Sequence, residues 1–159
     1  VENIESLGRG NLIDQLYKKV SRPYIIKPTF LTGHPIDLSP LARSNDEDPS
    51  ITDRFQLIVN GQEIINGYSE LVDSEEQERR LIEQNKLKDN GDEEAMSIDH
   101  EYIKAMEYGM PPISGWGLGI DRFLQFLTSS YNIRDVVLYP LLKRRDNVED
   151  DDLDEEDED

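Results

Sequence analysis

The sequence contains no cysteine, two histidines, one tryptophan and only 36% apolar residues. Without cysteine, the chain cannot form a disulfide framework, a thiol nucleophile or a cysteine-bound zinc site. The histidines, His34 and His100, have no third partner at metal-ligand spacing, so a histidine-bound zinc site is not expected either. No stretch approaches the ~20 consecutive apolar residues of a membrane-spanning helix. We therefore expect a cytoplasmic protein that has no signal peptide and binds no membrane.

Negative charge is concentrated at one end of the sequence. The formal net charge is −18, but residues 146–159 contain 11 of the 35 acidic residues, and the rest of the chain carries only −7. So acidic an end cannot bury apolar surface, and we predict a folded domain at residues 1–145 and a disordered acidic tail at residues 146–159. The tail is either a solubilising end or a segment that attracts a basic partner or imitates phosphate charge.

The remaining pattern predicts helices mixed with short extended segments. Leu12, Leu16 and Val20 recur at helical spacing, and Pro23 ends that helix. Three more helices are predicted in "SEEQERRLIEQNKLKDNGD", "DHEYIKAMEYG" and "IDRFLQFLTSS", and a short buried strand is predicted in "DVVLYP". Because hairpin strands are mixed with separate helices, we predict an α+β domain in which helices flank an antiparallel β-sheet.

The segment "DRFQLIVNGQEIINGYSEL", residues 53–71, begins as a β-hairpin. Phe55, Leu57 and Val59 alternate with other residues up to Asn60-Gly61, a strong signal for a two-residue turn. The return strand is unusually polar and contains Glu63, Asn66, Tyr68, Ser69 and Glu70. It is either an exposed edge strand protected by polar side chains or the floor of a binding site.

The two-residue turn sets the pairing of the two strands. It is predicted to pair Ile58 with Glu63 and Gln56 with Ile65, so Gln56 and Glu63 become diagonal neighbours on one face. Side-chain oxygen atoms placed in this way can hold one divalent ion between them.

Strict alternation along the return strand puts Asn66 and Glu70 on the opposite face from Glu63. If all three side chains line one site, the strand must bulge or bend between them. Gly67 is the expected place for that bulge.

The segment "SGWGLGIDRF" places Gly115, Gly117 and Gly119 two residues apart, which puts all three on one face of a strand. Trp116 and Leu118 are then expected to point the other way, into a core. A face without side chains lets a flat ligand lie directly on the backbone. The same glycines are also compatible with close packing alone.

Asp121 and Arg122 follow the glycines and open a predicted helix, whose free N–H groups favour anions. The guanidinium of Arg122 can grip phosphate or stack on a planar ring. Two commoner nucleotide motifs are not matched, because Ile120 stands at the third glycine of the dinucleotide fingerprint and no phosphate-loop motif is present.

Several segments resemble one known family. "GWGLGIDRF" is similar to motif 3 of the class II aminoacyl-tRNA synthetases, while "PTFLTGHPIDLSPLAR", "EIINGYSELVD", "GDEEAM", "AMEYGMPP" and "RDVVLYP" resemble its lysine-specific members. The resemblance runs from Val1 to Lys143 and implies part of a class II catalytic core. Motifs 1 and 2 and the anticodon-binding domain would lie upstream. A start at Val1 fits a piece of a longer protein, although removal of an initiator methionine gives the same start.

The resemblance implies roles for the glycine strand and the hairpin. Gly117, Gly119 and Arg122 are implied to bind ATP, together with Glu63. In the family, the positions of Gln56 and Glu63 are both glutamates that bind the Mg²⁺ bridging the ATP phosphates. Gln56 departs from this pattern, because its amide oxygen can ligate Mg²⁺ but brings no charge. Arg122 and Glu63 are the implied catalytic residues.

The resemblance also implies a lysine site. Asn66 and Glu70 match family positions that contact lysine. An ammonium group that enters a pocket needs an anionic partner, so Glu70 is expected to receive the side-chain ammonium. Asn66 is expected at the polar end of the substrate and Tyr68 in the pocket wall. The implied function is ATP-dependent activation of lysine and its transfer to tRNA-Lys, by a protein that is a homodimer when full-length.

A second interpretation is a non-catalytic remnant of the family that binds a small ligand or a protein partner. Gln56 and the missing motifs favour it for this chain, while the intact Asn66 and Glu70 favour an enzyme. The 159 residues alone are expected to be inactive and to expose apolar surface. The sequence upstream of Val1 would distinguish the two.

Overall fold

The computed structural model describes residues 7–92 and 95–140. An antiparallel four-stranded sheet with strand order β1-β2-β3-β4 is formed by β1 (Thr29–Pro35), β2 (Ile51–Val59), β3 (Gln62–Ser69) and β4 (Ser114–Leu118). The helices are α1 (Arg9–Val20), α2 (Ser74–Asp89), α3 (His100–Glu107) and α4 (Ile120–Leu127), with short 3₁₀ turns at Arg22–Tyr24, Ile36–Leu38 and Ile133–Asp135. The predicted α+β class is confirmed, and the predicted acidic tail lies outside the described residues.

The predicted hairpin is present. Asn60 and Gly61 both have positive φ angles, 49° and 70°, as a two-residue turn between right-twisted strands requires. The turn is held from outside by the segment that follows α1, because Arg22 Nε donates to the Gly61 carbonyl at 2.8 Å and the Asn60 amide donates to the Ile26 carbonyl at 3.0 Å.

The strand pairing differs from the simple prediction by one residue. Ile58 pairs with Glu63 as expected, but Gln56 pairs with Asn66 and not with Ile65. The register shifts between Leu57 and Ile58, so β3 carries one more residue than β2 over this stretch. The predicted pairing of Gln56 with Ile65 is therefore wrong.

The extra residue is Ile64, which is a β-bulge. The prediction that β3 must bulge is confirmed, but its expected place at Gly67 is wrong, since Gly67 pairs regularly with Phe55. Ile64 is only 4% exposed, so the bulged residue is kept in the strand by burial of its side chain.

Strand β4 continues the sheet beyond β3. Asn66 pairs with Gly117 and Tyr68 with Gly115, so these residues share one face, as directly opposite residues in antiparallel strands do. Trp116 lies on the other face but is 67% exposed, so its predicted burial in a core is wrong. Trp116 is exposed because few side chains of the described residues cover this face of the sheet.

The helices pack unevenly on the sheet. The predicted apolar stripe of α1 is exposed: Leu12, Leu16 and Val20 are 36%, 64% and 57% accessible. The buried residue of α1 is Gly10, which lies so close to the 3₁₀ turn that a Cβ there would approach the Asp37 Cβ to 2.9 Å. The start of α1 therefore docks through the close approach of Gly10 and through polar contacts such as that of Asn11 with Asp92, not through the leucine stripe.

The best-buried cluster lies between α2 and α3. Leu81 is 1% exposed, and Ile103 and Met106 are each 5% exposed. Asp73 caps α2 by accepting from two backbone amides, and Gly109 follows α3 with a φ of +106°. Each fully buried side chain of this kind stabilises the fold by about 1.5–3 kcal/mol.

The C-terminal part of the described chain remains open. The predicted strand "DVVLYP" does not form, and Leu138 and Tyr139 are 92% and 90% exposed. In the described sheet, β4 has a neighbour on one side only, and this segment pairs with no strand. Helix α4 also exposes apolar residues, among them Ile120 and Leu127. The exposed apolar surface expected from the sequence is thus observed. No helix among the described residues is long and apolar enough to cross a membrane.

The packing around Gly67 predicts a stability effect. A Cβ at this position would lie 2.7 Å from the Trp116 Cβ and 2.9 Å from both the Gly115 carbonyl oxygen and the Phe55 ring. We expect Gly67→Ala to lower the free energy of unfolding by about 1–3 kcal/mol, the usual cost of overpacking. Chemical denaturation of the full-length protein measures it. Gly117→Ala is the matched control, because a Cβ there meets no atom within 4 Å; equal losses in both variants would contradict the packing argument.

The start of α2 predicts a pH effect on stability. Arg79 and Arg80 donate hydrogen bonds to Glu76 and lower the pKa of its carboxyl group to about 2. Because the unfolded pKa is about 4.3, this contribution is complete above that pH and is lost as the pH falls toward 2. Glu76→Gln should therefore unfold more easily than wild type at pH 7, and the difference should vanish near pH 2. Denaturation curves at each pH measure the difference, with the exposed Glu107→Gln as the control. If Glu76→Gln is destabilised equally at pH 7 and pH 2, the lowered pKa of Glu76 is not the cause.

Candidate functional site

One face of the sheet carries nearly all the predicted site residues, and we call it the site face. It is formed by Arg54 and Gln56 of β2, Glu63, Asn66 and Tyr68 of β3, and Gly115 and Gly117 of β4. Glu63 and Asn66 share this face only because Ile64 adds a residue between them. The bulge therefore brings together the two halves of the predicted site that strict alternation would separate.

The glycine part of the site face is bare. A Cβ placed on Gly117 would meet no atom within 4 Å, and one on Gly115 would meet only Glu70 Oε1, at 3.5 Å. The close-packing explanation of these two glycines is therefore not supported, because neither is crowded. Open backbone of this kind can support a planar ligand.

Gly119 and Arg122 join the glycine strand to α4. Gly119 is the N-cap of α4, and its amide donates to the Ile64 carbonyl at 2.9 Å. Arg122 Nη1 donates to the backbone carbonyl of Glu63 at 2.9 Å. The guanidinium is thus tied to the end of β3 that bears the Glu63 carboxylate. Arg122 also borders two shallow cavities of about 520 and 550 Å³, which adjoin Gln62 and not Gly117.

Gln56 and Glu63 are in direct contact. Gln56 Nε2 donates to Glu63 Oε2 at 2.6 Å, and Gln56 Oε1 lies 3.1 Å from His34 Nε2. Burial lowers the pKa of His34, although its hydrogen bond to Gln56 opposes the shift, so the imidazole is neutral at pH 7. Among the described residues, no group of three or more histidine, aspartate or glutamate side chains is placed to hold a metal ion.

Glu70 lies just beyond β3 and close to the bare glycines. Its carboxylate accepts no hydrogen bond and forms no ion pair with any described residue, and burial raises its pKa. A partly desolvated carboxylate without a partner is a costly arrangement that a bound cation would relieve. This carboxylate is therefore the clearest unmet electrostatic demand on the site face.

Two tyrosines lie near Glu70. Burial raises the pKa of the Tyr68 and Tyr102 hydroxyl groups, and the negative charge of Glu70 raises both further. Tyr68 was expected in the pocket wall. Tyr102, on α3, was missed by sequence reasoning, because its position in an amphipathic helix signals only packing, and only the tertiary structure brings it near Glu70.

Arg54 was also missed. Its Nε donates to Asn66 Oδ1 at 3.0 Å, and its Nη1 donates to the Leu38 carbonyl and to Ser39 Oγ. Asn66 is thereby fixed with its oxygen toward Arg54, which leaves its Nδ2 donor for a ligand. The alternation of β2 was the available signal, since Arg54 lies two residues before Gln56 on the same face.

Known proteins are similar to this chain over most of its length. The family model described as tRNA synthetases class II (D, K and N) matches residues 14–143. The lysine–tRNA ligase of Xanthomonas oryzae pv. oryzae is 49% identical over 138 residues, which are 87% of this chain and 27% of that protein. The lysine–tRNA ligases of Erwinia tasmaniensis and Escherichia coli K12 are 47% and 46% identical over 139 residues, 87% of this chain and 28% of each.

The chain thus spans little more than a quarter of the length of these relatives. The match nevertheless covers β1 to β4, the bulge and every residue of the site face. The chain therefore belongs to the class II tRNA synthetase family that comprises the D, K and N enzymes.

Proposed function

We propose that this chain is part of a lysine–tRNA ligase, which activates lysine with ATP and transfers it to tRNA-Lys. The relatives named above are lysine–tRNA ligases. The observation that carries the lysine assignment is the Glu70 carboxylate, which is partly desolvated, has no partner among the described residues and lies beside the bare backbone of Gly115. Its charge fits the side-chain ammonium of lysine and disfavours asparagine and aspartate.

The other lysine contacts follow from the hydrogen bonds around β3. Because Arg54 occupies the oxygen of Asn66, the amide offers a donor to the polar end of the substrate. Tyr68 forms one wall of the site next to Glu70, and Tyr102 lies close to the same carboxylate. The aromatic walls exclude water around the ammonium and strengthen its pairing with Glu70.

The proposed nucleotide site uses the bare backbone. Gly117 and Gly119 provide a surface on which the nucleotide lies against the strand, and Arg122 supplies positive charge at the start of α4. Its anchoring to the Glu63 carbonyl keeps one face of the guanidinium free to contact a ring or a phosphate. Glu63 and Arg122 are the proposed catalytic residues.

Mg²⁺ is the proposed metal, and Glu63 with Gln56 would hold it. The two side chains already touch, at 2.6 Å, and offer one carboxylate and one amide, the donor types that a hard cation takes. Because Glu63 and Gln56 together carry only one negative charge, the ion would take its remaining ligands from phosphate oxygens and water. When bound, Mg²⁺ neutralises charge on the ATP phosphates.

The chemistry requires no nucleophile from the protein. A lysine carboxylate oxygen attacks the α-phosphorus of ATP, the bond to the bridging oxygen breaks, and pyrophosphate leaves as lysyl-adenylate forms. A ribose hydroxyl at the 3′ end of the tRNA then attacks the lysyl carbonyl carbon, and AMP leaves. The residues of the site contribute by orienting both substrates and by balancing charge with Glu70, Glu63 and Arg122.

The complete protein is proposed to act in the cytoplasm as a homodimer. The exposed apolar residues of α4 and β4, such as Trp116 and Leu127, support a structure in which further polypeptide covers this surface. The short share of the relatives' length that the chain spans agrees with a fragment that is inactive alone.

A non-catalytic member of the family is the second candidate. The observation that favours it is Gln56, which donates to Glu63 where the resemblance implies a second carboxylate. Lysine-dependent exchange of pyrophosphate into ATP by the full-length protein separates the two functions. Exchange above background supports the ligase, and its complete absence supports the non-catalytic member.

Removal of the charge of Glu70 is the first specific test of the lysine site. Glu70→Gln should raise the KM for lysine about tenfold to a hundredfold while leaving the KM for ATP nearly unchanged, because an ammonium then lacks its anionic partner in a half-open site. Pyrophosphate exchange measures both constants. Glu107→Gln, which removes the same charge from an exposed helix end, is the control, and a lysine KM that does not respond to Glu70→Gln would refute the assignment.

A side chain added at Gly117 tests the proposed nucleotide site. Gly117→Val should raise the KM for ATP by at least about tenfold with little change in the KM for lysine, because the side chain fills the space in which the nucleotide would lie. The variant should still fold, since a Cβ there meets no atom within 4 Å and β-branched residues suit a strand. An unchanged ATP KM in a folded variant would place the nucleotide elsewhere.

A further inference from the structure

Three side chains on neighbouring strands form a hydrogen-bonded chain that ends at the proposed metal ligand. His34, which is 7% exposed on β1, contacts Gln56 on β2, and Gln56 contacts Glu63 on β3. The first distance is 3.1 Å from His34 Nε2 to Gln56 Oε1, and the second is 2.6 Å from Gln56 Nε2 to Glu63 Oε2. The orientation of the Gln56 amide thus links the two ends.

The charge of Glu63 fixes that orientation when no cation is present. An ionised carboxylate only accepts hydrogen bonds, so Gln56 must turn its NH₂ group toward Glu63 and its oxygen toward His34. His34 must then donate from Nε2, and its Nδ1 carries no proton. In this arrangement Gln56 offers Glu63 a donor and offers a cation no oxygen.

The opposite nitrogen of His34 is not held by the protein. Nδ1 is buried and has no hydrogen-bond partner among the described residues. His34 borders a cavity of about 390 Å³ together with Tyr17, whose buried hydroxyl likewise lacks a partner in the described part of the chain. A polar cavity of this size has room for water. The Arg54 backbone lies near the ring and favours its protonated form, but it makes no geometric hydrogen bond to Nδ1, so both neutral tautomers of the imidazole are available.

We propose that His34 is a positioning residue that allows the Gln56 amide to turn over. Without a cation, Nε2 donates and Gln56 caps Glu63. When a divalent cation on ATP approaches Glu63, the amide presents its oxygen to the cation and its NH₂ group to His34, which now accepts at Nε2 and carries its proton on Nδ1. No net charge changes, because one neutral tautomer replaces the other. The inference rests on the proposed ATP site.

The mechanism requires a side chain at position 34 that can both donate and accept. A side chain without polar atoms would leave the turned amide with a buried, unpaired NH₂ group. The missing hydrogen bond would destabilise the cation-bound state and so weaken cation binding. Glutamine at position 34 retains both abilities and should restore binding. If position 56 is a carboxylate, both of its atoms are oxygens, so no turn is needed and His34 becomes dispensable for the cation.

Binding of Mn²⁺ to the ATP-loaded, full-length protein, measured by electron paramagnetic resonance without lysine or tRNA, tests this coupling. His34→Phe should weaken Mn²⁺ binding about threefold to tenfold, the value of one hydrogen bond. His34→Gln should stay within about twofold of wild type. In the Gln56→Glu background, the same His34→Phe change should not weaken binding.

Two results would overturn the proposal: an equal loss for His34→Phe in both backgrounds, or no loss in either. If His34→Phe does not fold, His34→Met replaces it, because a flexible thioether fills an irregular site without a strong hydrogen bond. The failure of the ligase function is separate, since it appears as missing lysine-dependent exchange in the wild type. Wild type that binds no Mn²⁺ with ATP would overturn both the nucleotide site and this inference.

Discussion

The candidate site depends on one extra residue in one strand. Side chains alternate between the two faces of a sheet, so Glu63 and Asn66 would face opposite ways in a regular strand. The bulge at Ile64 shifts the phase by one residue and puts both on the same face. The Ile64 carbonyl also accepts the hydrogen bond from the Gly119 amide, so the same bulge positions the start of α4, which carries Arg122.

The two faces of the sheet have opposite requirements, and β3 and β4 meet both. On the site face, Gly115 and Gly117 leave the backbone open for a ligand. On the other face, Gly67 is needed for the reverse reason, because the Trp116 and Phe55 side chains leave no room for a Cβ. In the same pair of strands, glycine therefore has two uses: Gly115 and Gly117 leave room for a ligand on one face, and Gly67 allows close packing on the other.

Charges on the site face are balanced only in part. Arg54 donates to three neutral oxygens, the Leu38 carbonyl, Ser39 Oγ and Asn66 Oδ1, and it forms no ion pair with a described residue. Glu70 has no described partner at all. A folded domain gains nothing from leaving a partly desolvated carboxylate unpaired, and a cationic ligand would supply the missing partner. The described apolar core lies elsewhere, in the cluster between α2 and α3 and in buried residues of the sheet such as Ile58 and Ile64.

The sequence alone determined the elements that short-range rules govern. Asn60-Gly61 specifies its hairpin, Asp73 and Gly109 mark helix boundaries, and the glycine spacing specifies a bare strand face, because each signal acts through the backbone of a few neighbouring residues. The site residues on β3 could be named from the sequence with the help of the family resemblance.

Tertiary structure alone decided the register of β3, the roles of Arg54 and Tyr102, and the contact of His34 with Gln56. It also decided which predictions failed, since Trp116, the α1 stripe and the segment "DVVLYP" are apolar in sequence but exposed in the described structure. These outcomes depend on residues far apart in the chain, and local sequence carries no information about which distant surface will cover a side chain or pair with a strand.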